Sequence, residues 1–373
     1  LNLSSAMEQE INQIISFLRR PLKWLGFDVI DPNWKVTPLT MFTIVMFALQ
    51  HYTSYLYLST HLDMFDMFTE CFSTSAVALE IAIRMGLLVH QRELRNETIE
   101  IIRQQHKTFG NSAAIRKVTA RFHKLISVTL HALAACYMST MMFELIPIVS
   151  PNPRKSNLPL PMYLPYMPHD VTPYWHLNYT FITVMNLMCI LFLVGIDGLL
   201  VLSILAAVHQ IKLLKITIQE LDIGAEQAEL HRELVRIIQI HQRIQQFIHQ
   251  LEQTYYIDLL VDFGLVCLIL CMGLNVIADE VINAIWFFLI AVVFQLSLLC
   301  FSGNLLLIES DSLSSCVYSI DWHAMPVPEQ KLLMVMIAHA QKPQVLRGIF
   351  MPLIMSSFLS VIKASYSYFT LLH

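Results

Sequence analysis

The side chains able to do chemistry in this chain are scattered through long apolar runs, and their spacing decides what they can do. Glu80 and Arg84 stand four apart, so they can pair on one face of a helix. Charges among apolar residues are costly and are normally paired or functional; pairing for structure is the expected role. Asp197 lies in VGIDGLL between Gly195 and Gly198. That setting favours close helix packing and a cross-helix hydrogen bond over proton relay. Asp258 and Asp262 are expected to meet water at the inner end of their apolar run. Ser356, Ser360, Lys363, Ser367 and Thr370 recur at 4-3-4-3 spacing and draw one polar stripe along an otherwise apolar helix. Two uses fit this stripe: close packing through small hydroxyl residues, or the wall of a water-filled conduit. Spacing leaves both open.

No catalytic constellation accompanies these residues. The sequence has no phosphate-binding glycine loop, no HExxH and no G-x-S-x-G, so neither an enzyme nor a cofactor is expected, and no nucleic-acid partner. The cysteines are Cys71, Cys136, Cys189, Cys267, Cys271, Cys300 and Cys316. Six lie in or beside apolar runs without metal-type spacing, which predicts soft core residues rather than a disulfide framework. His231, His241 and His249 lack the i, i+4 pairing of a helical zinc site, so no metal is expected.

The elements that must position these groups are membrane helices. Of the 373 residues 55% are hydrophobic and only 14% charged, against roughly a quarter charged in soluble domains. Runs of about 20 apolar residues mark spans. Seven are read at 40–58, 65–89, 125–148, 177–208, 256–277, 282–307 and 345–372, the fourth and fifth projecting beyond the bilayer. Twenty of the 24 Lys and Arg residues fall on one side of these spans. Only Arg154 and Lys155 fall on the other, and Arg84 and Lys363 lie within spans. The positive-inside rule then puts the N-terminus in the cytoplasm and the C-terminus outside. A G-protein-coupled receptor has the opposite orientation and usually a disulfide between its third span and the loop that follows. The corresponding loop here, 150–175, has no cysteine and seven prolines, which predicts an ordered, non-helical outer cap. Asn178, in NYT, is a glycosylation candidate on that side; Asn96, in NET, falls inside. The first 20 residues read as an amphipathic helix without a signal peptide.

Inside the cell, Leu230, Leu234, Ile237, His241, Ile244, Ile248 and Leu251 make a coiled-coil-like seam. It can pack within one subunit, or add contacts between subunits near an oligomer axis.

Three stretches resemble signatures of the insect odorant receptors. CFSGNLLLIESDSLSSCVYSIDW (300–322) resembles that family's sixth span, AHAQKP (338–343) the segment before its last span, and IKASYSYFTLL (362–372) its closing motif. They stand in order and at family spacing, while the first two-thirds of the chain agrees in topology. Ser367-Tyr368 departs from the Thr-Tyr of the related gustatory receptors, and the long intracellular insertion of the shared co-receptor is missing. Both points favour an odour-tuned subunit.

The resemblance implies an all-α, seven-helix subunit of a ligand-gated, non-selective cation channel in the plasma membrane of sensory dendrites. Four subunits, tuned and co-receptor, surround one pore; membrane lipid and a small volatile are the other partners. It implies a cytoplasmic N-terminal segment (1–39), spans one to four (40–208), a cytoplasmic anchor (209–255 and 309–344), spans five and six (256–308) and a pore helix (345–373). In that helix Leu371 takes the gate position, with Thr370, Ser367 and Lys363 along the pore. The family's odorant pocket lies in the outer half of spans two, three, four and six. Here those halves offer Phe68, Phe72 and Ser75; Tyr137, Thr140, Met141 and Glu144; Phe181, Met185 and Met188; and Trp286, Phe287 and Ile290. Such a set suits a small neutral volatile, with aromatic faces favouring an aromatic or heteroaromatic one. A G-protein-coupled receptor and a gustatory-type channel are the alternatives.

Overall fold

Apolar runs this long, with few internal breakers, can satisfy their backbone only as helices. The computed structural model describes residues 3–60, 65–109, 112–145, 158–160, 162–167, 171, 173–279, 285–348 and 351–372. They form α1 (Leu3–Trp24), α2 (Pro38–Thr60), α3 (Phe65–His90), α4 (Arg92–Thr108), α5 (Ala113–Ser139), α6 (Tyr174–Gln219), α7 (Gln227–Asp279), α8 (Ile285–Tyr318), α9 (Val327–Ala340) and α10 (Met355–Leu372), with short 3-10 turns at Thr140–Leu145 and Trp322–Ala324. No strand occurs among the described residues, only a lone bridge between Arg347 and Pro352.

α6 and α7, of 46 and 53 residues, reach roughly 70 and 80 Å at 1.5 Å per residue. Both exceed a hydrocarbon core of about 30 Å, as expected for the fourth and fifth spans. α6 is the central post. Its residues are buried without a break from Val194 to Ile211, and α1, α5, α7 and α8 pack around it. A helix that is apolar all round is one buried all round. Gly195 and Gly198 let α1 come close: a β-carbon at either would collide with Leu22 or Leu18. The close packing read around Asp197 is therefore that of the amphipathic first helix.

Among the described residues five helices are long and apolar enough to cross a membrane: α3, α5, α6, α7 and α8. The other two expected spans are helical but more polar. α2 carries Gln50, His51, Thr53 and Ser54, and α10 carries the Ser/Lys stripe. The expected span 345–372 is shorter than read. Arg347 bridges to Pro352, and the Leu353 amide donates to the Leu346 carbonyl at 2.8 Å. The helix begins only at Met355, because Pro352 lacks an amide hydrogen for a helical ladder.

Six ionisable side chains meet inside the bundle. Arg84, 1% exposed, donates from Nη1 to Glu80 Oε1 at 2.8 Å and from Nη2 to Asp197 Oδ1. Asp258 and Asp262 lie 3.7 and 3.9 Å from its guanidinium. Arg95 of α4 donates to Asp258 Oδ2 at 2.7 Å and stacks over the Tyr255 ring at 4.7 Å. Tyr137 of α5 donates its hydroxyl to Asp197, and Gln295 of α8 donates to Asp262 Oδ1 at 2.8 Å. The Glu80–Arg84 pair and the cross-helix bond of Asp197 match expectation. The water-facing reading of Asp258 and Asp262 is corrected, since both are buried at 1% and 2% exposure. α7 lies along α3, so these aspartates face two guanidiniums instead of solvent.

The seam of α7 is settled by burial. All seven residues from Leu230 to Leu251 are covered by their own chain, with α7 packed against α4, α6 and α9. They offer nothing to a second subunit. Burial pushes the His241 imidazole down to about 4, so it fills its seam position as a neutral ring.

Replacing Arg84 by Leu strands its carboxylates in the interior. Removing one partner of a buried ion pair costs about 3–5 kcal/mol. Arg84→Leu should lose most surface expression and melt at markedly lower temperature in detergent. An unchanged melting temperature would show that the cluster holds nothing together.

Candidate ligand site and pore-facing helix

At the end of the bundle where α6 begins, the loop before α6 folds back as the expected non-helical cap over its described parts, 158–160 and 162–167. Met162 is fully buried, and Tyr163 packs edge-on against Tyr57 of α2 at 5.8 Å. Asn178 fastens this cap. Its Oδ1 accepts from the Leu164 amide at 2.6 Å, and its Nδ2 donates to the carbonyls of Met167 and Tyr174 at 3.2 and 2.9 Å. Asn178 is 0% exposed. A glycan on Nδ2 has no room there and would remove a donor, so the glycosylation reading is replaced by a structural one.

Below the cap the expected ligand residues fall into two groups. Tyr137, Thr140, Glu144, Phe181, Met185 and Met188 are buried; Phe72, Ser75 and Met141 are half-buried. Tyr137 joins Leu133, Ile190, Val194 and Ala291 in a cluster shared by α5, α6 and α8, against which Met141 packs. Phe181, Met185 and Met188, with Phe72 against them, belong to the main core. Trp286, Phe287 and Ile290 do not join either group: they are 43%, 40% and 56% exposed on the outer surface of α8. That helix turns Leu289, Ala291 and Val292 inward instead. α8 is apolar on every side, so its inward face had no periodic signal. Phe68 lies in α3 with its side chain outside the described residues.

Polar groups line the same region. Glu144, on the 3-10 turn after α5, accepts from Asn186 Nδ2 at 2.9 Å, and its backbone carbonyl accepts from the Tyr179 hydroxyl at 2.6 Å. Asn186 also reaches the Met141 sulfur at 3.3 Å. Asn186 was not among the expected residues, nor was Gln295. Each is an amide inside an apolar span, and that position alone marks a side chain as paired or functional.

α10 is attached by one face. Ser357, Val361 and Ser365 are buried, and the Ser365 hydroxyl donates to the Cys267 carbonyl of α7 at 3.2 Å. Ser356, Ser360, Lys363, Ser367 and Thr370 are all exposed. The polar stripe therefore does not serve packing within this chain. Leu371 flanks the stripe near the end of the helix at 78% exposure.

The profile of the family described as "7tm Odorant receptor" matches residues 63–366. This chain belongs to the odorant receptor family. It is a multi-pass membrane receptor and no enzyme. The receptor is similar to putative odorant receptor 19b of Drosophila melanogaster, 31% identical over 180 residues covering 46% of each chain. It is also similar to odorant receptor 10 of Aedes albopictus, 29% identical over 226 residues covering 58% of this chain and 60% of that one. The matched segments thus span about half the length of these curated relatives. The fold matches that of the insect olfactory receptor OR5 from Machilis hrabei in complex with eugenol, with a TM-score of 0.80 at 13% identity over 99% and 98% of the two chains.

In this odorant receptor Asn178→Gln should leave electrophoretic mobility and glycosidase sensitivity unchanged. It should also lower thermal stability, because the cap loses the side-chain bonds to the Leu164 amide and the Met167 and Tyr174 carbonyls. A band shift on deglycosylation that disappears in the variant would overturn the structural role.

Proposed function

We propose that the receptor is an odour-tuned subunit of a ligand-gated, non-selective cation channel, assembled with the odorant co-receptor in the plasma membrane of a sensory neuron. The observation that carries this reading is the exposed stripe of α10. A polar face turned away from its own bundle, on a helix otherwise suited to membrane, needs water or a neighbouring subunit. A pore shared by four such helices supplies both. Arg347 and the basic cytoplasmic segments put the inner mouth before α10 and Leu371 toward the outer one. The stretch 209–255 with α9 forms the cytoplasmic anchor.

The odorant occupies the outer half of the bundle under the cap, among α3, α5, α6 and α8. The inward residues Phe72, Ser75, Tyr137, Thr140, Met141, Phe181, Met185 and Met188 supply mainly dispersion and burial. That suits a small, largely apolar volatile, and an aromatic ring fits the aromatic and sulfur contacts. The OR5 relative holds eugenol, which agrees with an aromatic ligand. Binding must favour the open state to open the pore; the ligand wedges α5 and α6 and draws the end of α10 outward from the axis.

Co-expression with the co-receptor and current recording against a panel of volatiles tests this reading. Leu371→Ala should raise basal current or change ion selectivity, because the apolar constriction is pared back. Basal current, evoked current and selectivity all unchanged would remove Leu371 from the gate. An epitope tag at the N-terminus should be silent on intact cells and stain after permeabilisation. Staining of intact cells would reverse the topology and favour a G-protein-coupled receptor.

A further inference from the structure

We propose that Glu144 selects odorants that carry a hydrogen-bond donor, a protonated amine above the rest. The proposal rests on the odorant-site reading of α3, α5, α6 and α8 and narrows its ligand class.

The buried carboxylates of this protein fall into two kinds. Glu80, Asp197, Asp258 and Asp262 each have a guanidinium within 3.9 Å, and Glu329 has the His231 imidazole at 3.3 Å. Glu144 is as buried as these, at 3% exposure. Among the described residues, however, no Lys, Arg or His pairs with it. Among the described residues its only side-chain donor is the neutral Asn186 amide, at 2.9 Å on Oε1. A carboxylate has about four lone-pair sites and no proton to give. One neutral amide leaves most of that capacity unused in a place where an unmatched charge is costly.

The group is also held in place. Its backbone carbonyl is tied to α6 by the Tyr179 hydroxyl at 2.6 Å, and its side chain by Asn186 of the same helix, about two turns further on. A charge fixed from both ends is a preorganised acceptor. Immediately inward are Met141 and the cluster of Leu133, Tyr137, Ile190, Val194 and Ala291. A ligand lying against that apolar surface presents its polar end to Glu144. An ammonium brings the missing countercharge together with N–H donors, a hydroxyl brings a donor alone, and a hydrocarbon brings neither. Charge-assisted bonds are the stronger, so the predicted order is amine, alcohol, hydrocarbon.

The test is a matched series of benzylamine, benzyl alcohol and ethylbenzene, applied to the receptor with its co-receptor. Glu144→Gln keeps the shape and the acceptor for Asn186 and removes the charge. In the parent, benzylamine should act at the lowest concentration. In the variant its half-maximal concentration should rise on the order of tenfold to a hundredfold, while ethylbenzene is unmoved. Equal shifts for all three ligands, or a parent that does not prefer the amine to ethylbenzene, overturns the proposal. Ligand-induced thermal stabilisation of the purified receptor runs beside the currents. Stabilisation by benzylamine that is lost in Glu144→Gln, without evoked current, upholds the site and counts against the channel. Equal stabilisation of parent and variant counts against the site whatever the currents show.

Discussion

Arg84 puts a full positive charge among apolar helices, where the cost of leaving water is several kcal/mol unless the charge is fully partnered. Glu80, on the same helix, satisfies one corner of the guanidinium. The remaining corners can be met only from other helices. Asp197 does so from α6, and Asp258 and Asp262 from α7. These in turn recruit Tyr137 of α5, Arg95 of α4 and Gln295 of α8. Burying such a network adds little net stability, since well-packed apolar residues would do as well. What it fixes is rotation and register. α6 and α8 are apolar around their whole circumference and carry no stripe that would tell them which way to face. Asp197 and Gln295 each allow one orientation only. The candidate-site face of α6 and the inward row of α8 follow from where these two polar side chains must point.

The same reasoning explains what could be read from the sequence. The apolar runs made the long helices legible, and the i, i+4 spacing exposed the Glu80–Arg84 pair. The glycines beside Asp197 announced close packing without naming Leu18 and Leu22 of α1 as the side chains that fill it. Asp258 and Asp262 were misjudged because their guanidinium partners come from helices more than 160 residues away in the chain, and no local pattern carries that. α8 was misjudged on Trp286, Phe287 and Ile290 because periodicity says nothing about a helix with no polar face. Asn178 matched a sequon, while its real task depended on a loop folding back over it. By contrast the stripe of α10 was legible in full, since five residues at 4-3-4-3 spacing must share a face wherever the helix sits.

Tyr137 joins the candidate ligand region to the charge network. Its ring belongs to the apolar cluster beside the candidate ligand, and its hydroxyl belongs to the charge network. The network reaches α7 and α8, the two helices on which α10 is seated. Contiguity is a route and not a demonstration of coupling; the drive has to come from a ligand that binds one arrangement better than the other. α10 is suited to move under such a drive. It is held by one narrow face, with Ser365 bonded to a carbonyl of α7, and most of its remaining residues are exposed. On the proposed channel reading, a charge-locked bundle that carries one lightly held helix separates the part that would sense from the part that would open.

Lys363 constrains where the pore can be narrow. It lies on the exposed stripe, eight residues inward of Leu371, or about 12 Å along the helix. Two unit charges 10 Å apart in water repel by about 0.4 kcal/mol, less than thermal energy, whereas at 4 Å near a protein surface the figure is about 4 kcal/mol. A ring of lysines around a tight constriction would therefore stop cations altogether. Around a wide, hydrated vestibule it would barely slow them, and salt would screen it further. If α10 lines a cation path, the conduit must be broad at Lys363 and close at the apolar level beyond it. On that reading Lys363 sets the taper of the pore, wide at the lysine and narrowing toward Leu371.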